Sequence, residues 1–380
     1  MSDNFGTTVT AQKFMANTLK VFFQRSFLRD VTNKDFYTPG DDNPKTTRSI
    51  KNKHQKFTIS TLYSNGWKNY SGGSISPSKV QEVVSTLSID NFKSLEDEIE
   101  SLAHFKSSVS DPQSSIIQDA GGKLKQLIDQ AVLAMYGDAG AGNWVGTDYT
   151  TGSVAVDSSG NVTGSGTTFT SAMVGRPFKA DGHSKWYRVK SYASATSIVI
   201  ENDSDDTTSS YDGGAISSGA SYTIQATSAA SVTKSNIAAQ LQKISQNLDE
   251  NEVPDDGNRY VILPAVAKSA LLSAPEFNVD IEKVHGEVVQ KGQVAKAYGL
   301  RIFIAPTSWF QGDNSNGIYC VAGHKSFITA GYGFIEPITV VDSAKRETGY
   351  GDLVKGLFGY GLKVADERRK AGAVLYATFA

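Results

Sequence analysis

Cysteine is almost missing from this chain: Cys320 is the single one in 380 residues. No intrachain disulfide can form, and cysteine-based metal sites are excluded. Cys320 sits in the apolar run Gly317 to Val321, which makes it a core thiol. Long hydrophobic runs are missing as well. The longest, such as Ala131 to Met135 and Ile302 to Ala305, fall far short of the roughly 18 residues a bilayer helix needs. Nor is there an excess of charge of one sign, since the formal net charge is -2. A protein that seeks nucleic acid by bulk charge is usually strongly basic, so any DNA contact here is local. The first ten residues are polar and lack the charged start, apolar run and cleavage site of a secretory signal. Assembly in a cytoplasm is expected.

The usual carriers of catalysis are also lacking. Five histidines, His54, His104, His183, His285 and His324, are scattered without the spacing of a zinc ligand set. There is no phosphate-binding loop of the Gly-x4-Gly-Lys-Ser/Thr kind, no dinucleotide glycine pattern after a strand, and no Gly-x-Ser-x-Gly elbow. Glu96, Asp97, Glu98 and Glu100 cluster, but a solvated helix or strand end explains them better than an acid-base pair. The sequence therefore offers no catalytic, metal or cofactor site.

What is present is the composition of a folded protein, 39% hydrophobic and 20% charged, in a chain long enough for two or three domains. Residues 1–56 hold ten Lys or Arg against five Asp. With Phe14, Leu19, Phe22, Phe23 and Phe27 at helical spacing, they form a basic amphipathic arm. Phe57 to Tyr63 is rich in strand formers, and Ser64-Asn65-Gly66 makes a turn before Trp67 and Tyr70. A second strand-like run, Val80 to Ile89, completes an extended hairpin. Trp67 and Tyr70 are expected to touch a neighbouring subunit, because an isolated hairpin is marginally stable in water. The clearest helix spans Asp111 to Gly137. Asp111 can cap it, Pro112 suits its first position, and its stripe reads Ile116, Ile117, Ala120, Leu124, Leu127, Ile128, Ala131, Val132 and Met135. Gly121 and Gly122 mark either a hinge or a frayed start to this helix.

From Trp144 to about Ser231 the composition turns to Gly, Ser and Thr, with short strand patterns, which indicates a small inserted all-β domain. Helical periodicity returns with Ile237, Leu241, Ile244 and Leu248, followed by the strand Arg259 to Leu263 and another helical stretch. Short strands then alternate with turns, and Gly356 to Val364 and Ala373 to Phe379 read as β.

Taken in order, these segments resemble the major capsid proteins of tailed phages with the Hong Kong 97-type fold. The stretch VPDDGNRYVILPAVAKSALLSAPEF, Val253 to Phe277, and its continuation GQVAKAYGLRIFIAP, Gly292 to Pro306, carry the resemblance most specifically. The inserted part, from GSVAVDSSGNVTGSGTTFT (Gly152 to Thr170) to Tyr222 to Ile224, is similar to β modules of phage tail and fibre proteins. The likeness implies an α+β fold with six parts: an N-terminal arm (1–35), an E-loop hairpin region (36–85), a peripheral domain with the long spine helix (86–143), the inserted β domain (144–231), an axial domain (232–345) and closing peripheral strands (346–380). It implies a capsid protein that self-assembles through hexamers and pentamers into the shell around double-stranded DNA, in a virion built in the bacterial cytoplasm.

Other expectations follow from the same resemblance. Family members that weld subunits through a Lys–Asn bond place the asparagine late in the peripheral domain, and no Asn follows Asn316 here. Non-covalent locking by arm and hairpin is expected instead. A start directly at the arm implies a separate scaffolding protein; a portal and decoration proteins are the other expected partners. Lys13, Lys20, Arg25 and Arg29 either line the inner surface or pair with a neighbour's carboxylates. The inserted domain is expected on the outer face, though its strands could instead clamp neighbouring axial domains. Two rival readings are an encapsulin-like nanocompartment shell and a carbohydrate-binding tail or fibre protein.

Overall fold

The computed structural model describes residues 27–33, 56–63, 81–100, 112–204, 210–274, 294–341 and 351–380. Strand β1 (Lys56–Tyr63) and strand β2 (Gln81–Ser88) coincide with the two runs of strand formers, and β3 (Asn91–Glu100) follows at once. Helix α1 (Pro112–Ala134) continues into a 3-10 turn, Met135–Asp138. Next come β4 (Trp144–Val145), β5 (Thr147–Tyr149), β6 (Ser153–Val156), β7 (Asn161–Ser165), β8 (Pro177–Ala180), β9 (Tyr187–Ser194), β10 (Ser197–Asn202), β11 (Ile216–Ala220), β12 (Tyr222–Ser228) and β13 (Ala230–Val232). Helix α2 (Ile237–Glu250), β14 (Arg259–Pro264) and helix α3 (Ala267–Ser273) precede β15 (Val294–Ala297), β16 (Leu300–Ala305) and β17 (Gly317–His324). The chain closes with β18 (Ile328–Val341), β19 (Gly351–Lys363) and β20 (Gly372–Phe379).

The described residues fall into two compact units: 56–63, 81–100, 112–126, 329–341 and 351–363 in the first, the rest in the second. In the first, β18, β19 and β3 pair antiparallel in that order, and β1 pairs with β2. The 14-residue β18 and 13-residue β19 are longer than the short strands expected there. Their glycines hide the strand character in the sequence and serve the packing. Gly331 pairs with Gly361 and Gly333 with Gly359. A Cβ on Gly361 would lie 2.1 Å from the Ser88 carbonyl oxygen, and one on Gly331 would lie 3.0 Å from Leu87. The base of the hairpin thus lies directly on the sheet, with Leu87 and Ile89 buried.

In the second unit the central sheet runs β13-β20-β17-β14-β16-β15. β14 is buried along its whole length, and α2 covers part of β20. Ile237, Leu241, Ile244 and Leu248 of α2 are all fully buried, at one-face helical spacing; each contributes about 1.5–3 kcal/mol of hydrophobic stabilisation. The expectation that the last strand closes the peripheral sheet needs correction. β20 lies inside the central sheet, antiparallel to β17 and parallel to β13, because its run Ala373 to Ala377 is apolar on both faces and is buried on both. Phe27–Asn33, assigned above to the arm, belongs to this unit too: Asp30 pairs with Arg301 at 2.7 Å.

Helix α1 also departs from its expected stripe. Leu124, Ile128 and Val132 are buried as read, as is Leu133, but Leu127 is 39% exposed. Successive buried positions at 124, 128 and 132 define a narrower face than nine apolar residues suggested. The helix passes through Gly121 and Gly122 without interruption.

The remaining strands form a separate sheet in the order β11-β6-β7-β10-β9-β8-β12-β5. It spans Thr147 to Ser228 and has its own core, including Val154, Val162, Phe169, Phe178, Tyr187, Ile198 and Ile224. Its flanks β4 and β13 pair with β20 of the central sheet.

Candidate functional site

The resemblance noted above implies a protein that acts through its surfaces, so the relevant geometry is that of the elements able to meet other copies. The hairpin β1–β2 is in unbroken antiparallel register over eight residue pairs, from Lys56↔Ser88 to Tyr63↔Gln81. Among the described residues these strands pair only with each other. Trp67 and Tyr70, expected at its outer end, lie outside the described residues, as do Lys13, Lys20 and Arg25. Arg29 is placed on the short helix Leu28–Val31 with its side chain exposed. Gly121 is buried, while Gly122 has open space where a Cβ would stand.

The acidic cluster occupies the far half of β3. Glu96 faces Lys355, Asp97 faces Val354 and Glu98 faces Leu353 across the β19 ladder. All three are exposed, as expected for a solvated strand end. Charged side chains on a sheet border also discourage uncontrolled edge-to-edge pairing.

The eight-stranded β module docks on the central-sheet side through two arginine sites that the sequence did not reveal. At the first, Arg176 is 6% exposed and donates from Nη2 to the Tyr319 hydroxyl at 2.6 Å. Its guanidinium lies 4.6 to 5.3 Å from the ring centres of Tyr376, Tyr319 and Trp144. Those rings continue into a stack, Tyr136 on Tyr319 and Tyr319 on Tyr376, each at 4.4 Å between centroids. A desolvated cation on an aromatic face is worth about 2 kcal/mol. At the second site, Asp203 accepts from Arg188 Nε at 2.6 Å, from Arg369 Nη2 at 2.8 Å and from the Ala141 amide at 2.6 Å. Burial alone would raise its pKa, but the two guanidiniums and the amide outweigh that and hold the carboxyl below the usual carboxylate range.

The sequence hid these residues for a physical reason. Arg188 sits between Tyr187 and Val189 in β9, and inward-outward alternation reads an arginine there as solvated. A sparse set of charges in a segment of Gly, Ser and Thr was the available signal. Cys320 is buried as expected, and that burial pushes its thiol pKa up. Among the described residues, no group of three His, Cys, Asp or Glu side chains could hold a metal ion.

A family model described as phage capsid protein matches residues 191–368. Two solved structures share the fold. One, from Mycobacterium phage Che8, is 14% identical over 93% of this chain and 91% of its own, with a TM-score of 0.51. The other is the capsid of cyanophage P-SCSP1u, 12% identical over 86% of this chain and 84% of its own, also with a TM-score of 0.51. No curated protein matches the chain. At such identities the likeness shows the fold, a mixed α+β architecture of the Hong Kong 97 type. Over residues 191–368, a little under half of its length, the chain is similar to the phage capsid protein family.

Proposed function

We propose that copies of this chain assemble through hexamers and pentamers into the shell around double-stranded phage DNA, without catalysis and without covalent cross-links. The observation that carries this reading is the hairpin β1–β2: two strands in unbroken register, paired only with each other among the described residues. A two-stranded ribbon is marginal in water on its own, so its outer part gains stability by lying on an adjacent subunit. Contacts of this kind are individually modest and sum over many copies, which lets wrongly placed subunits leave during growth. Trp67 and Tyr70 are the anchors on that ribbon. Lys13, Lys20, Arg25 and Arg29 face the packaged DNA, and the near-neutral net charge of -2 keeps the wall from holding it too tightly. Assembly takes place in the bacterial cytoplasm with a separate scaffolding protein and a portal, and decoration proteins bind the finished shell.

The test is expression of the full chain with and without residues 64–80, replaced by Asn-Gly, followed by electron microscopy and sedimentation. Closed particles from the full chain and soluble subunits from the shortened one are expected. Equal particles from both would remove the hairpin from the assembly mechanism. Particles isolated from infected cells that hold protein cargo rather than DNA would overturn the genome-shell reading.

A further inference from the structure

The Asp203 site joins three parts of the chain that are remote in sequence. Arg188 and Asp203 belong to the β module, Arg369 lies in the 3-10 helix Asp366–Ala371 near the C-terminus, and residues 138–141 follow the end of the long helix. The bonds form a closed circuit. Arg188 donates to Asp203 and, through Nη2, to the Ala139 carbonyl at 2.6 Å. Arg369 donates to Asp203, and its own carbonyl accepts from the Gly140 amide at 2.8 Å. Asp203 returns to the same turn by accepting the Ala141 amide. Beside the circuit, Ser204 donates to Asp366 at 2.9 Å. The approach is close enough that a Cβ on Gly140 would lie 2.9 Å from the Arg369 carbonyl oxygen.

The charges make the circuit hard to open. The side chains of Arg188, Asp203 and Arg369 are 12%, 14% and 6% exposed. Arg188 has carbonyl acceptors at Gly175 and Ala139 besides Asp203. Arg369 depends far more on Asp203: its other carboxylate, Asp138, is 3.9 Å away, and its Nε is buried without a hydrogen-bond partner among the described residues. Removing one partner of such a pair leaves an uncompensated buried charge, which is more damaging than replacing both.

We propose that Asp203 is a latch that makes the β module an intramolecular clamp: it fixes the turn after the long helix and the C-terminal 3-10 helix as one piece with the module. The module is then a working part of the subunit's rigidity rather than an appendage held only by its two linkers. Asp203→Ala opens the latch, while the module keeps its own core.

The test uses the full-length chain, as soluble subunits and as assembled particles, with calorimetry and hydrogen exchange read segment by segment. In Asp203→Ala, exchange should rise at least tenfold in residues 139–146 and 366–371, while the amides of Val154, Ile198 and Ile224 stay protected. The melting temperature should fall by roughly 10 °C. The double variant Asp203→Ala with Arg369→Met, which removes the stranded charge, should regain part of that loss. Asp203→Asn keeps the side chain's size and gives the same exchange pattern in weaker form, so it carries the test if the alanine variant is insoluble. Unchanged exchange in 139–146 with an unchanged melting temperature would overturn the latch. So would loss of protection spread evenly through the module core, since that outcome makes Asp203 a residue of the module's own fold. An additive double variant would show that Asp203 and Arg369 are not coupled.

Discussion

The hairpin β1–β2 and the β module are both built from short strands and turns, yet they solve the stability problem differently. The hairpin has a complete hydrogen-bond ladder but only two strands, and at its base Leu87 and the adjoining Ile89 are buried. The module has eight strands around a core of aromatic and branched side chains, and two arginine sites that tie it to its own subunit. A backbone ladder alone is not enough; apolar area removed from water decides whether a β element stands alone or leans on a neighbour. On the proposed reading, the hairpin is the element suited to assembly and the module the one suited to holding a subunit's shape.

The sharpest way to break this comparison is to remove the module. Joining Gly140 to Lys234 through a few Gly and Ser residues would also delete β4 and β13, both paired with β20, and should give insoluble chains. Joining Val145 to Ala230 spares both strands. It should give folded subunits that melt roughly 10 °C lower, since Arg369 loses Asp203 and the aromatic stack loses Arg176. Soluble fraction and calorimetry decide; equal stability of the second deletion and the full chain would make the module an independent passenger.

The hairpin should show the opposite behaviour. Trp67→Ala is expected to leave the soluble subunit's melting temperature unchanged and to weaken shells by about 2 kcal/mol per contact, the range for an aromatic interface anchor. Particle dissociation in denaturant, compared with subunit unfolding, separates the two effects. A destabilised subunit would show instead that Trp67 packs within its own chain.

A pH experiment sharpens the picture of the module's core. His183 is buried there. Its Nδ1 accepts the Ala180 amide at 3.2 Å, and its Nε2 donates to the Tyr211 hydroxyl at 2.7 Å, which in turn donates to the Gly214 carbonyl at 2.5 Å. The ring has no place for a second proton, and burial, aided by Lys179, lowers its pKa from 6.5. Tyr187 packs against the ring on another side, with Asp212 and Lys185 beyond it. Below about pH 6.5 the unfolded chain takes up a proton that the folded module refuses. Stability should be full above that pH, fall as the pH drops toward the folded-state pKa, and then level off. Melting curves from pH 7.5 to 5 should show this slope, and His183→Gln should flatten it; an equal slope in the variant would assign it to other groups.

The smallest effect concerns the long helix. Gly122 has open space at its Cβ position, so Gly122→Ala should stabilise the first unit by about 1 kcal/mol. Calorimetry of subunits reads that gain, and assembly yield reads the hinge. Unchanged yield with the gain in stability would mean that the helix needs no bend at this point.

Local patterns in the sequence identified much of this fold. The buried positions of α2, the strands at 153–156, 197–202 and 259–264, the hairpin strands and the buried Cys320 could be read there because side-chain period and turn residues act within a few neighbours. The long β18 was missed, since its Gly331 serves a close approach by Leu87 that no neighbouring residue announces. Leu127 was misplaced because apolar character does not say which apolar residues find partners. The arginine sites were invisible for a stronger reason. Asp203 and Arg369 are 166 positions apart, and Arg176 and Tyr319 are 143 apart. Charge and aromaticity are properties of the sequence, but burial, which turns a solvated arginine into a latch, is created only when tertiary packing excludes water from around it.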